Sequence, residues 1–207
     1  MSTDASFAAA LAALRAGELV VFPTETLYGI GCDALDPRAV ARLADVKQRG
    51  ADKGFAVLVA DPAMLSLVTD EVGDDARRLA AAFWPGPLTI LFRARPGLPA
   101  PLVVDGRIGA RVSSHPLARR LTQELGRPIA APSANPAGRE PARDVASARA
   151  YFGDAVAAYL DGGTIAGAPS TLVDPGPPLR VLREGAIARD ALEGALRSAA
   201  TGGTPPV

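Results

Sequence analysis

Apolar and polar positions alternate along the chain in blocks that predict helices and strands in turn. Residues 6–16 place small apolar side chains at helical spacing, and Gly17 follows as a residue that commonly ends helices. Residues 18–22 and 55–60 are short, nearly continuous apolar runs, which are typical of strands covered on both faces. This alternation predicts an α/β protein built on an extensive sheet.

The rest of the chain continues the pattern. Asp36 and Pro37 supply an N-cap and a first-turn proline for a helix that reaches about Val46. We expect one domain over residues 1–200 and a disordered Gly/Pro/Thr-rich tail over 201–207, because no repeat or linker divides the chain. The other predicted helices begin near 61 or cover 74–83, 116–125, 143–151 and 189–199, and the other predicted strands cover 88–93, 108–112, 128–131, 156–160, 171–174 and 179–183.

Composition narrows the class of protein. The 207 residues are 48% hydrophobic but only 5% aromatic, so Ala, Val, Leu and Ile must build the core, which suits layered α/β packing. Cys32 is the single cysteine, which excludes an internal disulfide and fits a reducing compartment. No apolar run reaches the roughly 18 residues of a membrane span, and no signal-peptide pattern precedes the first helix. We therefore expect a soluble cytoplasmic protein with no membrane partner.

Charge is balanced overall, with 22 basic and 22 acidic residues, but it is unevenly placed. Residues 93–143 hold nine basic and three acidic side chains. A local positive field attracts polyanions such as nucleotides or RNA. The alternative is that these arginines scatter over helix surfaces and are balanced in space by acidic neighbours, and the charge pattern leaves both interpretations open.

Lysine is almost absent from the chain. The two lysines, Lys47 and Lys53, lie six residues apart with Arg49 between them. Lysine is a compact point charge on phosphate that arginine does not imitate, and a glycine-punctuated loop with three cations can wrap an anion. The segment therefore favours a phosphate site, although chance clustering or a solvated loop would give the same pattern.

Other polar residues follow predicted strands, where sheet proteins place their sites. Residues 24–29 (TETLYG) could line a pocket or form an ordinary turn. Ser133 and Asn135 could hold a phosphate, a ribose or a metal-bound water, or belong to a plain Asn-Pro turn. Arg111 lies inside an apolar strand, so we expect it to have a carboxylate or phosphate partner.

Several kinds of catalytic site are excluded. The chain has no GxxxxGK[ST] loop, no GxGxxG fingerprint and no G-x-S-x-G elbow. His115 is the single histidine, so a zinc site made of Cys and His is excluded. We expect His115 to be structural or peripheral, at a helix start. What remains well supported is positioning and charge stabilisation, which phosphoryl and nucleotidyl transfer require.

Seven motifs spread over about residues 6–190 resemble those of the YrdC/TsaC family of threonylcarbamoyl-AMP synthases, in its short single-domain form. Each motif alone is weak, but seven in the family's order are specific. They are Pro23–Gly29, Lys47-Gln48-Arg49 with Lys53, Trp84–Thr89, Ile108–Arg111, Ser133-Ala134-Asn135, Ser170–Asp174 and Arg183-Glu184-Gly185.

The resemblance implies a twisted mixed sheet flanked by helices, with a concave, positively charged cleft. It implies that L-threonine, bicarbonate and ATP condense to threonylcarbamoyl-AMP and pyrophosphate, for N6-threonylcarbamoyladenosine in tRNA. Mg²⁺ is expected on the ATP phosphates and not in a protein metal site. Direct binding of tRNA or double-stranded RNA, and downstream tRNA threonylcarbamoyl-transferase proteins as partners, are further expectations. Carried over by position, the catalytic residues are Lys47 and Arg49, the ATP-binding residues are Arg49, Lys53, Ser133, Asn135 and Arg183, and the threonine-binding residues are Thr24, Tyr28, Arg111, Ala131 and Ser170.

The chain departs from the family pattern at a few positions. Gly50 and Gly54-Phe55 replace a Pro and a Pro-Leu pair, so the Lys53 loop is expected to be more flexible. Ser113 stands where members often have Pro. Three alternatives share the fold: the carbamoyl-AMP-forming domain of hydrogenase maturation, which normally sits in a much larger chain, the YciO-like branch, which departs from K-x-R and S-x-N, and a non-catalytic double-stranded RNA-binding paralogue.

Overall fold

The computed structural model describes residues 3–48 and 54–200. The expected disorder of residues 201–207 therefore lies outside the described residues. The described helices are α1 (Thr3–Arg15), α2 (Pro37–Lys47), α3 (Asp74–Phe83), α4 (Pro116–Leu125), α5 (Val145–Phe152) and α6 (Arg189–Ala200). The described strands are β1 (Val20–Pro23), β2 (Tyr28–Asp33), β3 (Val57–Leu58), β4 (Leu88–Arg93), β5 (Arg107–Arg111), β6 (Ile129–Ala130), β7 (Ala158–Tyr159), β8 (Thr171–Asp174) and β9 (Arg180–Arg183).

These strands form one mixed sheet in the order β7-β1-β2-β6-β3-β5-β4-β8-β9. The pairs β1/β7, β3/β5 and β4/β8 are parallel, and the other neighbouring pairs are antiparallel. The prediction of an α/β protein with a mixed sheet flanked by helices is confirmed. Within the described ranges, no helix combines the length and apolar character that a membrane span requires.

Helices cover both faces of the sheet. Alternate residues of a strand point to opposite faces, and Val21 packs in one buried cluster while Val20 and Phe22 pack in another. The cluster around Val21 includes residues of α2, α3, α5 and α6. The cluster around Phe22 includes residues of α1 and α4. Burial on both faces explains why these strands read as continuous apolar runs.

Strand β2 was not predicted, and it is the largest error at the level of elements. Its sequence YGIGCD contains two glycines, which weaken strand propensity. A Cβ atom at Gly31 would lie 2.3 Å from the backbone oxygen of Ala130, so the close approach of β6 requires glycine there. The strand is fully buried and includes Cys32. It pairs with β1 as a hairpin and with β6 on its other side.

Several other boundaries differ from the prediction. The helix expected near residue 61 is a 3₁₀ segment over Pro62–Leu67, begun by Asp61, whose side chain accepts from two backbone amides. The strands expected over 55–60, 128–131 and 156–160 shorten to the two-residue pairings of β3, β6 and β7. The amide of Val59 still donates to the Arg111 oxygen and that of Leu160 to the Val21 oxygen, so backbone hydrogen bonds continue beyond the two-residue pairings. Sequence periodicity does not mark where regular pairing ends.

Helix α2 positions the predicted site residue Lys47. Asp36 accepts hydrogen bonds from the amides of Arg38 and Ala39, which confirms the predicted N-cap. The helix ends at Lys47, and Gln48 takes the left-handed conformation with φ 48°. Lys47 is therefore in the last turn of a capped helix, where its backbone is fixed.

Candidate active site

A cavity of about 910 Å³ opens over the centre of the sheet. Its walls are the turn between β1 and β2, the segment after β6, and the strands β5, β8 and β9. Four arginines and two aspartates are the charged residues on its described wall. They are Asp105, Arg107, Arg111, Asp174, Arg180 and Arg183.

Seven of the predicted site residues line this one cavity, although they come from distant parts of the chain. They are Thr24, Tyr28, Arg111, Ala131, Ser133, Ser170 and Arg183. Lys47 donates to the Ser133 backbone oxygen, and Asn135 accepts from the Ser133 hydroxyl, but neither residue lines the cavity. Arg49 and Lys53 lie in residues 49–53, outside the described residues. The roles assigned to all of these side chains stay predictions.

The turn between β1 and β2 is closed by threonine hydroxyls. The Thr24 hydroxyl donates to the backbone oxygen of Leu27 at 2.6 Å and accepts from the amides of Thr26 and Leu27, each at 3.2 Å. It also lies 2.9 Å from the Thr26 hydroxyl. Both threonines are buried. The TETL sequence therefore forms a rigid floor at this end of the cavity.

Arg111 is held beside this turn by a carboxylate. Its Nη1 donates to Glu25 Oε1 at 2.6 Å and to Thr26 Oγ1 at 3.3 Å. The side chains of Arg111 and Glu25 are 8% and 15% exposed, so the ion pair is largely removed from solvent. Burial lowers the pKa of Arg111, Glu25 opposes this shift, and the nearby Arg183 adds to it. The expected carboxylate partner of Arg111 is thus confirmed.

Ser113 and His115 support Glu25 from the other side. The Ser113 hydroxyl donates to Glu25 Oε2 and accepts from the His115 amide. The His115 Nδ1 accepts from the Leu117 amide at 3.3 Å and so caps α4, which confirms its structural role. Burial lowers the pKa of His115 and Glu25 opposes that shift, so the imidazole is held in its neutral form.

A second arginine reaches the cavity from β9. Arg183 donates to the Ser170 backbone oxygen through Nε at 3.2 Å and Nη2 at 2.9 Å, and to the Ser170 hydroxyl at 3.0 Å. The Ser170 hydroxyl is also 3.0 Å from that of Thr89 on β4. This network joins β4, β8 and β9 at the level of Arg111.

Lys47 is buried at the back of the segment that follows β6. Its Nζ donates to the backbone oxygens of Ser133 and Asn135, each at 2.5 Å, and lies 3.4 Å from Asn135 Oδ1. The Ser133 hydroxyl donates to Asn135 Oδ1 at 2.6 Å, and Asn135 Nδ2 donates to the Arg139 backbone oxygen at 2.7 Å. Lys47, the first residue of the K-x-R motif, therefore contacts the S-x-N motif and shapes the turn that presents Ser133.

An irregular segment, residues 161–169, crosses beside the β1–β2 turn and leads into Ser170. The Tyr28 hydroxyl donates to the Gly163 oxygen at 2.8 Å and accepts from the Gly162 amide at 2.9 Å. Burial raises the pKa of Tyr28, so the phenol stays protonated. At Gly167 a Cβ atom would lie 2.3 Å from the Glu25 backbone oxygen. Tyr28 therefore anchors the segment, and glycine allows it to lie against the turn.

Several cavity residues were not singled out from the sequence. Asp174 accepts from Arg107 and from Arg180, the latter at 2.5 Å, and forms a cluster at the far end of the cavity. Glu25 and Ser113, which lie behind Arg111 and do not line the cavity, were not predicted as site residues either. Glu25 could have been found as the partner that Arg111 required, because it is the carboxylate of the neighbouring turn. Asp174 and Arg180 gave no such signal, since pairing across β8 and β9 depends on their register.

The described residues provide no ready protein site for a metal ion. Over 3–48 and 54–200, no group of three or more His, Cys, Asp or Glu side chains is placed to hold one. In the cavity, Asp174 is already neutralised by two arginines.

The family model that carries the description "Telomere recombination", that of Sua5, YciO and YrdC, matches residues 12–185. This stretch covers most of the 207 residues. The chain therefore belongs to the Sua5/YciO/YrdC family, and the family resemblance seen in the motifs is confirmed.

Individual relatives are similar across nearly the whole chain. The threonylcarbamoyl-AMP synthase of Idiomarina loihiensis is 38% identical over 172 residues, which are 81% of this chain and 91% of that protein. The structure of Pyrococcus abyssi Sua5 complexed with L-threonine superposes with TM-score 0.88 at 32% identity, over 95% of this chain and 58% of that one. Escherichia coli YciO superposes with TM-score 0.82 at 26% identity, over 92% and 94% of the two chains.

Proposed function

We propose that this chain is a threonylcarbamoyl-AMP synthase, a nucleotidyltransferase that condenses L-threonine, bicarbonate and ATP to threonylcarbamoyladenylate and pyrophosphate. Relatives at 36–38% identity carry this name. The motifs K-x-R and S-x-N, which separate this branch from a YciO-like one, are both present in the chain. The motifs therefore favour the synthase over a YciO-like protein, and the names of the relatives favour it over a non-catalytic RNA-binding paralogue.

The observation that carries the proposal is the placement of Arg111. A buried guanidinium faces the cavity beside the hydroxyl groups of Thr24 and Ser170, which suits the carboxylate and hydroxyl of a small amino acid. The relative with TM-score 0.88 was solved with L-threonine. We assign threonine binding to this end of the cavity, through Thr24, Tyr28, Arg111, Ala131 and Ser170.

The chemistry demands cations where two anions meet. The amine of threonine forms a bond to the carbon of bicarbonate, and water is lost to give a carbamate. A carbamate oxygen then attacks the α-phosphorus of ATP while the bond to the β-phosphate oxygen breaks and pyrophosphate leaves. Two unit charges about 4 Å apart repel by about 4 kcal/mol at an effective dielectric near 20. Arg183 and the K-x-R segment would offset this repulsion and stabilise the charge that passes to pyrophosphate.

ATP is assigned to the side of the cavity that Ser133 forms. We propose that it enters with Mg²⁺ on its phosphates and is bound by Arg49, Lys53, Ser133, Asn135 and Arg183. Lys47 and Arg49 are proposed to act at the reacting centre. Because Lys47 donates to two carbonyls of the Ser133 turn, it would also set the position of the ATP-binding groups.

The product fits a place in tRNA modification. We propose that downstream tRNA threonylcarbamoyl-transferase proteins consume the adenylate to make N6-threonylcarbamoyladenosine, which places the chain with tRNA in the cytoplasm. Direct contact with tRNA or double-stranded RNA is a further proposal, supported by the nine basic and three acidic residues of 93–143.

Pyrophosphate release from MgATP is the direct test. We expect release that requires both L-threonine and bicarbonate, together with a threonylcarbamoyl-AMP product identified by mass. Equal release with L-serine or with no amino acid would contradict the threonine assignment. Binding to duplex RNA with no pyrophosphate release would instead support the non-catalytic paralogue.

A further inference from the structure

We propose that Glu25 is a positioning residue, which holds Arg111 so that one complete edge of its guanidinium receives the carboxylate of the amino-acid substrate. Ser113 in turn fixes Glu25. The inference rests on the proposed function, because it takes an amino acid as the ligand of Arg111.

The guanidinium is divided between two tasks. Glu25 and Thr26 both accept from Nη1. Among the described residues, no acceptor is placed for Nε or Nη2, and neither atom is sealed off from solvent. Nε and Nη2 carry parallel N–H bonds that match the two oxygens of one carboxylate. Arg111 lines the cavity, so this free edge is the one available to a substrate.

The side chain of Glu25 is itself locked at both oxygens. Oε1 accepts from Arg111, and Oε2 accepts from the Ser113 hydroxyl. That hydroxyl is oriented because it also accepts from the His115 amide at 3.2 Å. Ser113 is 2% exposed, so the contact is shielded from water. A serine at this position gives Glu25 a second anchor that a residue without a hydroxyl would not supply.

A positioning role and a competing role of Glu25 predict opposite effects on threonine binding. As a positioning group, Glu25 improves threonine binding because it fixes the planar fork before the substrate arrives. As a competing anion, it would weaken threonine binding by repelling the substrate carboxylate. The short, doubly anchored geometry favours positioning, since Glu25 is not among the residues that line the cavity.

Steady-state pyrophosphate release on the full chain separates these effects. We expect Glu25→Ala to raise the KM for threonine about 10- to 100-fold, because a charged hydrogen bond to Arg111 is lost. Glu25→Gln retains an acceptor and should recover part of this loss. The KM for ATP should change by less than about twofold in both variants. A merely structural role would move both constants together.

Ser113→Ala is the milder variant, and it tests the same chain of contacts if Glu25→Ala does not fold. We expect it to raise the threonine KM about threefold. Glu71→Gln, an exposed glutamate away from the cavity, is the matched control and should match the wild type.

A lower or unchanged threonine KM in the folded Glu25 and Ser113 variants would overturn the inference while leaving the synthase assignment intact. Absence of threonine-dependent release in the wild type would instead remove the proposed function and, with it, the role of Glu25.

Discussion

The two buried cations of the site are held in different ways. Arg111 is paired with the carboxylate of Glu25 at 2.6 Å and keeps one edge toward the cavity. Lys47, which is 2% exposed, donates to two backbone oxygens of the segment after β6, each at 2.5 Å. Arg111 is fixed by its ion pair and by the planar geometry of the guanidinium. The Lys47 ammonium is fixed because it donates to two backbone oxygens of one turn.

This difference explains why the chain uses arginine in one place and lysine in the other. A guanidinium has five donors in a rigid plane, so it can serve Glu25 and a substrate at once. An ammonium has three donors on one nitrogen, so it can donate to two carbonyl oxygens that point toward that nitrogen. Neither residue would replace the other without losing contacts, and the following predictions test that conclusion.

The largest effect is expected at Lys47. Lys47→Ala should lower kcat/KM for pyrophosphate release about 100- to 1000-fold, because the turn and the reacting phosphate both lose a positioned donor. Lys47→Arg should be nearly as harmful, since a planar fork does not meet both carbonyls. Arg77→Ala, an exposed cation on α3, is the control. Turnover close to wild type in Lys47→Arg would refute the point-donor argument.

A somewhat smaller loss is expected at Arg111. Arg111→Lys keeps the charge beside Glu25 but removes the second edge, so kcat/KM for threonine should fall about 100-fold with folding retained. Arg111→Ala leaves Glu25 with an uncompensated charge and should lower the free energy of unfolding by about 3–5 kcal/mol. Urea denaturation and threonine titration measure the two effects.

The matched control for Arg111 is Arg127→Lys. Arg127 pairs with the buried Asp33 at 2.6 Å, away from the cavity. Arg127 itself is half-exposed, so the control tests loss of an arginine–carboxylate pair at a site remote from the cavity. If this variant impaired threonine use as much as Arg111→Lys does, the effect would reflect loss of such a pair and not loss of a substrate fork.

A moderate effect is expected at Tyr28, whose hydroxyl anchors residues 161–169 next to the Arg111 region. Tyr28→Phe leaves two backbone groups unpaired and should cost about 1–2 kcal/mol of unfolding free energy. We expect the threonine KM to rise and the ATP KM to stay constant. Tyr159→Phe, which removes a hydroxyl bonded to the Gly153 oxygen far from the cavity, should cost stability alone.

The smallest effect is expected on the pH dependence of stability, through His115 beside Ser113 and Glu25. Burial lowers the pKa of His115, so the unfolded chain takes up the proton more readily than the folded one. The stability contributed by neutral His115 is therefore complete above the unfolded pKa of about 6.5 and is lost as pH falls through it toward the folded pKa. Comparing urea midpoints of wild type and His115→Asn across this range isolates the effect, and parallel curves would contradict it.

Much of the fold followed from local pattern. The bounds of β4 and α4 were predicted to within a residue, because an apolar strand and a proline-led helix are encoded within their own segments. Strand β2 was missed because its glycines serve a contact with β6, which lies about a hundred residues further along the chain. Local propensity carries no record of such a partner.

The site residues likewise fall into those that local sequence identified and those that depend on distant contacts. The polar turns after strands identified part of the cavity wall, including Thr24, Tyr28 and Ser133, since strand ends gather at one edge of the sheet. Tyr28 was expected near threonine, yet its hydroxyl is bonded to residues 162 and 163, a contact that only the folded path of that segment defines. The burial of Lys47 likewise depends on the docking of α2 beneath the turn after β6, which no spacing in the sequence specifies.

The buried thiol of Cys32 can report how often strand β2 opens. It is the single cysteine, it is fully buried in β2, and burial raises the pKa of its thiol to about 12. Alkylation therefore waits until β2 separates from its neighbours. The same strand carries the Tyr28 carbonyl that accepts from Ala134, next to the turn held by Lys47. The labelling rate under native conditions thus measures how often this shared support opens, with no label added to the sequence.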